Sequence, residues 1–500
     1  MDLLKFLVQF SVFTIFSAVL ANGQKEKDPK IVIIGAGLSG MAAATKLMDN
    51  GFNNIVVLEA ENRIGGRIHS VNFSNGFIDL GAQWVHGVKN NVVYEINNGT
   101  YKFGVTGFDD KLPLFLQSNA IPVSQYKCEN FAFLALENLF SNYNEMSQFN
   151  GSIGEFIIGK FKNSSFYQIP EDQELGDEMI DFYDKEMNIW NGSETWFDLS
   201  AKLHCVSGFN EGLQYLTWKR DGYKEFFKYL TKQVPTDGTN KTLNVMSKVY
   251  LNQEVTNIEW NISTSNYKYA IVTVNDQKKY YADHVIVTIP LGVLKARHES
   301  LFTPDLPNKL KRAIDGMGYG NIGKIFLEYD MPFWPNDTEW VGYGFLWTKY
   351  DIAAVKGTNK EWLLDLQMFI KVDKFPNVIE ALLAGPHMRT FENLSSDVIM
   401  HDCVWLFQKF LGVILPRPKS MIKTSWLTSK NFLGSYSYFS MKTAEYNVTS
   451  NDLAETLFTP TKKPQIKFAG EHTDPAYSSN AHGAVNSGFR AAQEIIDYYS

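Results

Sequence analysis

The sequence predicts an α/β protein of two lobes: a parallel-sheet lobe assembled from segments far apart in the chain, and a second lobe of mixed sheet flanked by helices. Three observations carry that reading. Ile31 to Ile34 is an unbroken β-branched apolar run, as in a strand buried on both faces, and glycines at 35, 37 and 40 follow it directly. Met41 to Met48 then reads as a helix, and Ile55 to Leu58 as a second strand ending in Glu59, 19 residues after Gly40. A strand-like run returns from Ile466 to Phe468, ahead of a last helix from Gly483 to Tyr499.

The succession of strand, GxGxxG, helix, strand and acid is that of a Rossmann-like dinucleotide site. Gly35 permits the tight turn, Gly37 lets backbone approach a pyrophosphate, and Gly40 packs helix on strand. Free N–H groups and the positive helix end then face the phosphates, while Glu59 accepts hydrogen bonds from ribose hydroxyls.

The other elements follow in chain order. Residues from about 95 to 215 read as mostly helical, as at Phe131 to Phe140. Val249 to Leu251, Val255 to Trp260, Tyr269 to Val274 and His284 to Ile289 read as strands between polar turns, an antiparallel insert that returns to the first lobe. Lys324 to Tyr329 and Trp362 to Met368 read as strands of a second sheet, and Val378 to Leu383 and Asp397 to Leu411 as helical. The expected division is residues 1–21 as a leader, 22–95, 215–300 and 420–500 as the nucleotide lobe, and 96–214 with 301–419 as the substrate lobe.

Composition narrows the function classes. With 45% hydrophobic residues in 500, the chain can bury a large core. Its net charge of −7 offers no grip on nucleic acid and steers cationic ligands weakly. Aromatic residues at 14% suit either an enclosed aromatic cavity or a well-filled interior. Lys5, the apolar stretch Phe6 to Leu20 and the small residue Ala21 have the form of a secretory signal, too short to span a bilayer comfortably. Ten Asn-x-Ser/Thr sequons (Asn72, Asn98, Asn150, Asn163, Asn191, Asn240, Asn261, Asn336, Asn393 and Asn447) agree with a secreted or lumenal glycoprotein. Three cysteines, Cys128, Cys205 and Cys403, allow at most one disulfide. No metal site is expected.

Further motifs fix the chemistry. Arg63-Ile-Gly-Gly-Arg67 beyond the second strand suits added contacts to a diphosphate. Lys324 stands among Ile325, Phe326 and Leu327, so a strand here would bury its ammonium and depress its pKa. With Leu80-Gly-Ala-Gln-Trp-Val-His86-Gly, Asp283-His-Val-Ile-Val-Thr-Ile-Pro-Leu-Gly, Pro332-Phe-Trp334, Gly434-Ser-Tyr436-Ser, Phe468-Ala-Gly-Glu471-His-Thr and His482-Gly-Ala484, the chain from Lys30 to Tyr499 resembles the flavin-dependent amine oxidases, in their polyamine oxidase/spermine oxidase branch.

The resemblance implies FAD, held non-covalently, by Gly35, Gly37, Gly40, Glu59, Arg67, Gly81, Ala82, the backbone of Val255, Trp426, Glu471, His482, Gly483 and Ala484. It implies that Lys324 contacts the flavin N5 through a water, and that His86 touches the substrate. Trp426 and Tyr436 would wall the reacting amine, and Glu186 or Asn188 would hold a distal amine. The implied reaction oxidises spermine, spermidine or an N-acetyl form with O2, giving an aminoaldehyde, a shorter amine and H2O2. Other members share the glycine motifs. Monoamine oxidases attach FAD through a C-terminal cysteine, and none follows Cys403. L-amino acid oxidases need a cation for a carboxylate, for which Arg220 and Arg297 are candidates. A secreted protein that binds flavin or polyamine without turnover is the non-enzymatic alternative.

Overall fold

Four successive apolar residues, Ile31-Val-Ile-Ile34, satisfy their backbone and lose their side chains from water only inside a sheet covered on both faces. A computed structural model places them there and describes residues 28–97, 103–105, 111–205, 210–235, 241–264, 267–337 and 339–500. The expected leader, residues 1–21, lies outside the described residues. In chain order the elements used below are β1 (Ile31–Ile34), α1 (Leu38–Asp49), β2 (Ile55–Leu58), β3 (Gly76–Asp79), α2 (Gln173–Asn191), β4 (His284–Val287), β5 (Gly323–Glu328), β6 (Val378–Leu383), β7 (Ser420–Lys423), β8 (Pro464–Phe468) and α3 (Ala481–Tyr499).

The first sheet runs Leu457–Phe458, β8, β4, β1, β2, Val249–Tyr250, so strands from both ends of the chain lie side by side. β1 pairs in parallel with β2 and β4, and β4 with β8. Ile31 and Ile33 face α1 and α3, while Val32 and Ile34 face the core that Val272, Leu294 and Phe302 fill. The helices pack closely: a Cβ on Gly488 of α3 would stand 2.1 Å from the Ser39 carbonyl oxygen of α1. The antiparallel insert consists of Val255–Thr264, Tyr267–Val274 and Lys278–Ala282. Val249–Tyr250 and His284–Val287, expected within it, instead complete the parallel sheet.

The second sheet runs β7, β5, β6, Leu366–Lys371, Gly342–Leu346, Leu114–Gln117. One face packs on the helix Ser396–Leu411 through Phe345, Phe369, Phe407 and Phe410, so much of the aromatic content fills an interior. Val378 to Leu383 is a strand, not the helix its periodicity suggests. Six residues buried on both faces carry no polar stripe to betray their period, and pairing with β5 decides the conformation. Residues 361–365 form a 3-10 turn, and the strand expected from Trp362 begins at Leu366.

Packing also moves the lobe boundaries. Phe302–Thr303 pairs with Ile258 and Glu259, and the helix Asn308–Gly316 sends Leu310, Ala313 and Ile314 into the first lobe's core. At the other end β7 pairs with β5 and so belongs to the second sheet. The first lobe therefore extends past residue 300, and the second past 419. Among the described residues no helix is long and apolar enough to cross a membrane.

The α1–α3 contact makes a direct test. Gly488→Ala forces helix backbones apart and is expected to destabilise by about 1–3 kcal/mol, read as a lower thermal midpoint. Gly159→Ala, at a helix position where a Cβ meets nothing within 4 Å, is expected to leave that midpoint unchanged or raise it.

Candidate functional site

The glycine motif forms an open backbone cradle. Gly35 has φ +104°, and any Cβ there would stand 2.4 Å from Thr288 Oγ1. A Cβ on Gly40 would come within 2.0 Å of the Gly35 carbonyl oxygen, so the helix starts flush on the turn. Gly37 lies bridged to Gly65, and Gly65 N–H donates to the Ala36 carbonyl at 2.9 Å. Glu59, at the end of β2, accepts from Ala36 N–H and Glu61 N–H, both at 2.8 Å. Burial raises its carboxyl against those two bonds. Gln253 N–H donates to the Glu59 carbonyl at 2.7 Å, which brings Val255 beside this acid.

The two arginines differ in role. Arg63 is spent on its own loop, donating to the carbonyls of Gly66 and Ile68 at 2.8 and 3.2 Å. Arg67 reaches across 404 residues to Glu471, 2.7 Å away, and donates to the Ser435 carbonyl. Burial alone would raise the Glu471 carboxyl, yet Arg67, His472 and Ser437 hold it well below the usual carboxylate range. At the start of α3, Gly483 leaves no room for a side chain: a Cβ would meet the Tyr477 carbonyl oxygen at 2.0 Å. His482 beside it is buried with Nε2 unpartnered, and burial with nearby His86 lowers its imidazole to about 4. Ala484, the next residue, donates its N–H to the Asn480 carbonyl within the first turn of α3.

An elongated dinucleotide fits this arrangement. Glycines at 37, 65 and 66 face one another with no side chain between, Glu59 stands at one end, and the His482 and Trp84 ring nitrogens lack protein partners toward the other.

Lys324 is buried on the second sheet, 5% exposed, on the face opposite the aromatic core. Its Nζ donates to the carbonyls of Asp79 and Gly81 at 3.1 and 3.0 Å, and to Gln83 Oε1. Glu380 of β6, fully buried, brings Oε1 to 3.6 Å from Nζ. The Trp84 ring lies 5.4 Å away. Burial lowers the Lys324 ammonium's pKa and Glu380 opposes it; burial likewise raises Glu380 against Lys324.

The loop after β3 ties the two regions together. Ala82 N–H donates to the Arg67 carbonyl, and a Cβ on Gly81 would stand 1.8 Å from that oxygen. Trp426, three residues beyond β7, donates its Nε1–H to the Leu80 carbonyl at 3.2 Å and packs edge-on against Phe432. His86 meets Trp84 and Tyr215 at ring separations of 6.3 and 5.8 Å, so these three rings and His482 form one group near Lys324.

The remaining candidates lie along α2. Tyr436 donates its hydroxyl to the Ile189 carbonyl and covers Gly192. Glu186 accepts from Gln367 of the second sheet, and burial raises its carboxyl. Asn188 is committed to local bonds: it donates to Asp184 and Glu194 and accepts from Ser193, which leaves its amide closing the end of α2. Gln83, Trp84, Tyr215 and Glu380 belong to the site without having been singled out. A lone acid in Val378-Ile-Glu-Ala-Leu-Leu383 was the available signal, the counterpart of the lone lysine in β5.

Comparisons with known proteins agree in one direction. A family model described as flavin containing amine oxidoreductase matches residues 38–496. The peroxisomal N(1)-acetyl-spermine/spermidine oxidase of Bos taurus is 26% identical, over 94% of this chain and 95% of that protein. Probable polyamine oxidase 4 of Arabidopsis thaliana is 29% identical, over 96% of this chain and 89% of its own length. A solved structure of a redesigned putrescine oxidase shares the fold with a TM-score of 0.65 at 17% identity, covering 94% of this chain and 99% of that one.

Arg67→Met tests the cradle. It strands the Glu471 carboxylate, and the purified protein is expected to retain at least about tenfold less flavin, read from its visible absorbance. The folded carboxyl of Glu471 lies below its ordinary value of 4.5, so its stabilisation is full above that pH and lost as pH falls below it. Arg67→Met removes most of that stabilisation, so the part of the thermal stability that is lost as pH falls below 4.5 is expected to be smaller than in wild type, on a lower starting midpoint.

Proposed function

The chain belongs to the flavin-containing amine oxidoreductases, and from that premise we propose that it is an FAD-dependent polyamine oxidase acting on spermine, spermidine or their N-acetyl forms. The observation that carries this reading is the buried Lys324 ammonium, beside the Trp84 ring and joined through Gly81 to the dinucleotide cradle. Names borne by relatives point to the same substrates.

FAD, when bound, supplies the hydride acceptor and passes the electrons to O2, releasing H2O2. The chain's part is to bind and orient. Trp84, Tyr215 and His86 offer aromatic faces to a cationic chain, and Trp426 and Tyr436 help exclude water from the reacting amine. Glu186, on α2, offers a carboxylate for a distal ammonium, provided that amine competes with Gln367. Lys324 keeps three hydrogens directed at fixed oxygens. Hydrolysis of the imine then gives an aminoaldehyde and a shorter amine.

An amino-acid substrate fits less well. Arg297 is engaged by Glu254 at 2.9 Å, and Arg220 is exposed, whereas Lys324 is buried. Non-covalent retention of FAD is proposed because Cys403, the last cysteine, is buried in the second lobe's aromatic core. Passage through a secretory lumen is also proposed, supported by sequon asparagines 72, 150, 163, 261, 336, 393 and 447, all exposed. Asn98 and Asn240 lie outside the described residues, and Asn191 is partly buried.

Four measurements test these readings. Peroxide release should follow spermine, spermidine or an acetylated form and not L-Leu, and anaerobic substrate should bleach the flavin; absence of bleaching would mark a binder. Lys324→Met should keep its flavin and slow flavin reduction or reoxidation about a hundredfold in stopped flow. Endoglycosidase should increase the gel mobility of protein secreted from eukaryotic cells, and no change would remove the lumenal proposal.

A further inference from the structure

A lysine side chain presented with acceptors on every side carries information about its own charge. Lys324 Nζ has three hydrogen-bond partners, and all are oxygens that only accept: two backbone carbonyls and Gln83 Oε1. A neutral amine would have two hydrogens for three acceptors, with its lone pair aimed at an oxygen. The shell fits an ammonium.

The Gln83 amide is what completes that shell, and something must decide which way it points. Its Nε2 donates to Glu380 Oε2 at 2.9 Å, which leaves Oε1 for the lysine. The other oxygen of Glu380 has no hydrogen-bond partner within the protein and lies 3.6 Å from Nζ. β5 and β6 place the pair diagonally on one sheet face, since Phe326 is opposite Glu380 and Lys324 opposite Leu382.

We propose that Glu380 is a positioning residue for Lys324: its charge keeps the lysine an ammonium, and its bond to Gln83 turns the amide oxygen toward Nζ. The functional meaning rests on the reading that Lys324 stands beside the flavin; the electrostatic claim does not.

The charged groups around Nζ are few. Glu380 faces it from β6, and Asp79 from the end of β3, where Ser70 and the Tyr223 N–H already hold the carboxylate and Lys374 faces it. On β5 itself Glu328 sits at the far end, bonded to Ser420. From β7, Lys423 is opposite Ile325 and donates to the carbonyls of Phe391, Glu392 and Leu394. Removal of the Glu380 charge leaves burial opposed by Asp79 and by neutral dipoles.

The test uses the holoenzyme as wild type, E380Q, E380D, K324M and E380Q/K324M. Flavin absorbance, midpoint potential and thermal midpoint are followed from pH 6 to 10. E380Q is expected to show an alkaline step at a lower pH than any step in wild type, and that step is expected to be absent from E380Q/K324M. The sign follows from linkage: a lysine whose folded pKa is lowered binds fewer protons than when unfolded. Stability in E380Q should therefore rise with pH between the new midpoint and 10.5, while wild type shows a weaker rise. E380D, which restores the charge, should move the step back toward wild type. A profile of E380Q that superimposes on wild type overturns the proposal, as does a step that persists in E380Q/K324M. If E380Q fails to fold, E380Q/K324M should fold, because it removes the stranded charge; failure of both overturns the pairing. K324M with unchanged flavin potential and reaction rates would instead remove the flavin reading, and the thermal profiles would still decide the pair.

Discussion

Holding an ammonium inside an apolar sheet is the constraint on which the rest of the site depends. β5 is buried along its whole length, and an unpaired charge there would cost several kcal/mol even after relaxation. The Lys324 side chain is tolerated because Asp79 and Gly81 supply carbonyls and because Glu380 is buried with it. Those requirements fix the neighbours. The loop after β3 must lie against β5, β6 must present residue 380 on the same face, and Gln83 must bridge them. A charge in the wrong place would be costly enough to specify register.

The same loop joins the lysine to the cradle, which explains why two distant sequence features form one site. Gly81 gives one carbonyl to Lys324 while its missing Cβ lets the Arg67 carbonyl approach. Arg67 in turn spans to Glu471, whose second oxygen takes Ser437 Oγ and Ser479 N–H. Segments 67, 81, 324, 437, 471 and 479 are thus joined by a few buried polar contacts. The Ser437–Glu471 bond is buried and the others are partly so, which makes them worth more than a fully exposed surface pair. A shift in either lobe would disturb both the cradle and the lysine shell.

The first lobe was legible because its signals are local. Ile31 to Ile34, the glycine spacing and Glu59 lie within thirty residues, and at Gly35 and Gly40 a neighbouring atom excludes a Cβ. Lys324 was legible for the same reason, a charge amid apolar neighbours. The lobe boundaries were not, since Phe302 and Ser420 are assigned by the strands they pair with and composition does not change there. Nor was the commitment of Asn188, whose partners Asp184 and Ser193 are near in sequence but are chosen by the left-handed turn at Gly192.

Glu380 shows how one misread period hides a functional group. Read as helix, Val378 to Leu383 would scatter its residues around an axis, and the acid would be a polar point on a short amphipathic turn. Read as a strand, the same residues alternate, and Val378, Glu380 and Leu382 line the face that Lys324 occupies. The conformation cannot be settled from the six residues, because both readings bury them; it is settled by β5 on one side and Leu366–Lys371 on the other. Lys324 and Glu380 are each anomalous alone in an apolar run. Considered as a pair they explain one another, and that pairing would have identified both segments as adjacent strands before either was seen.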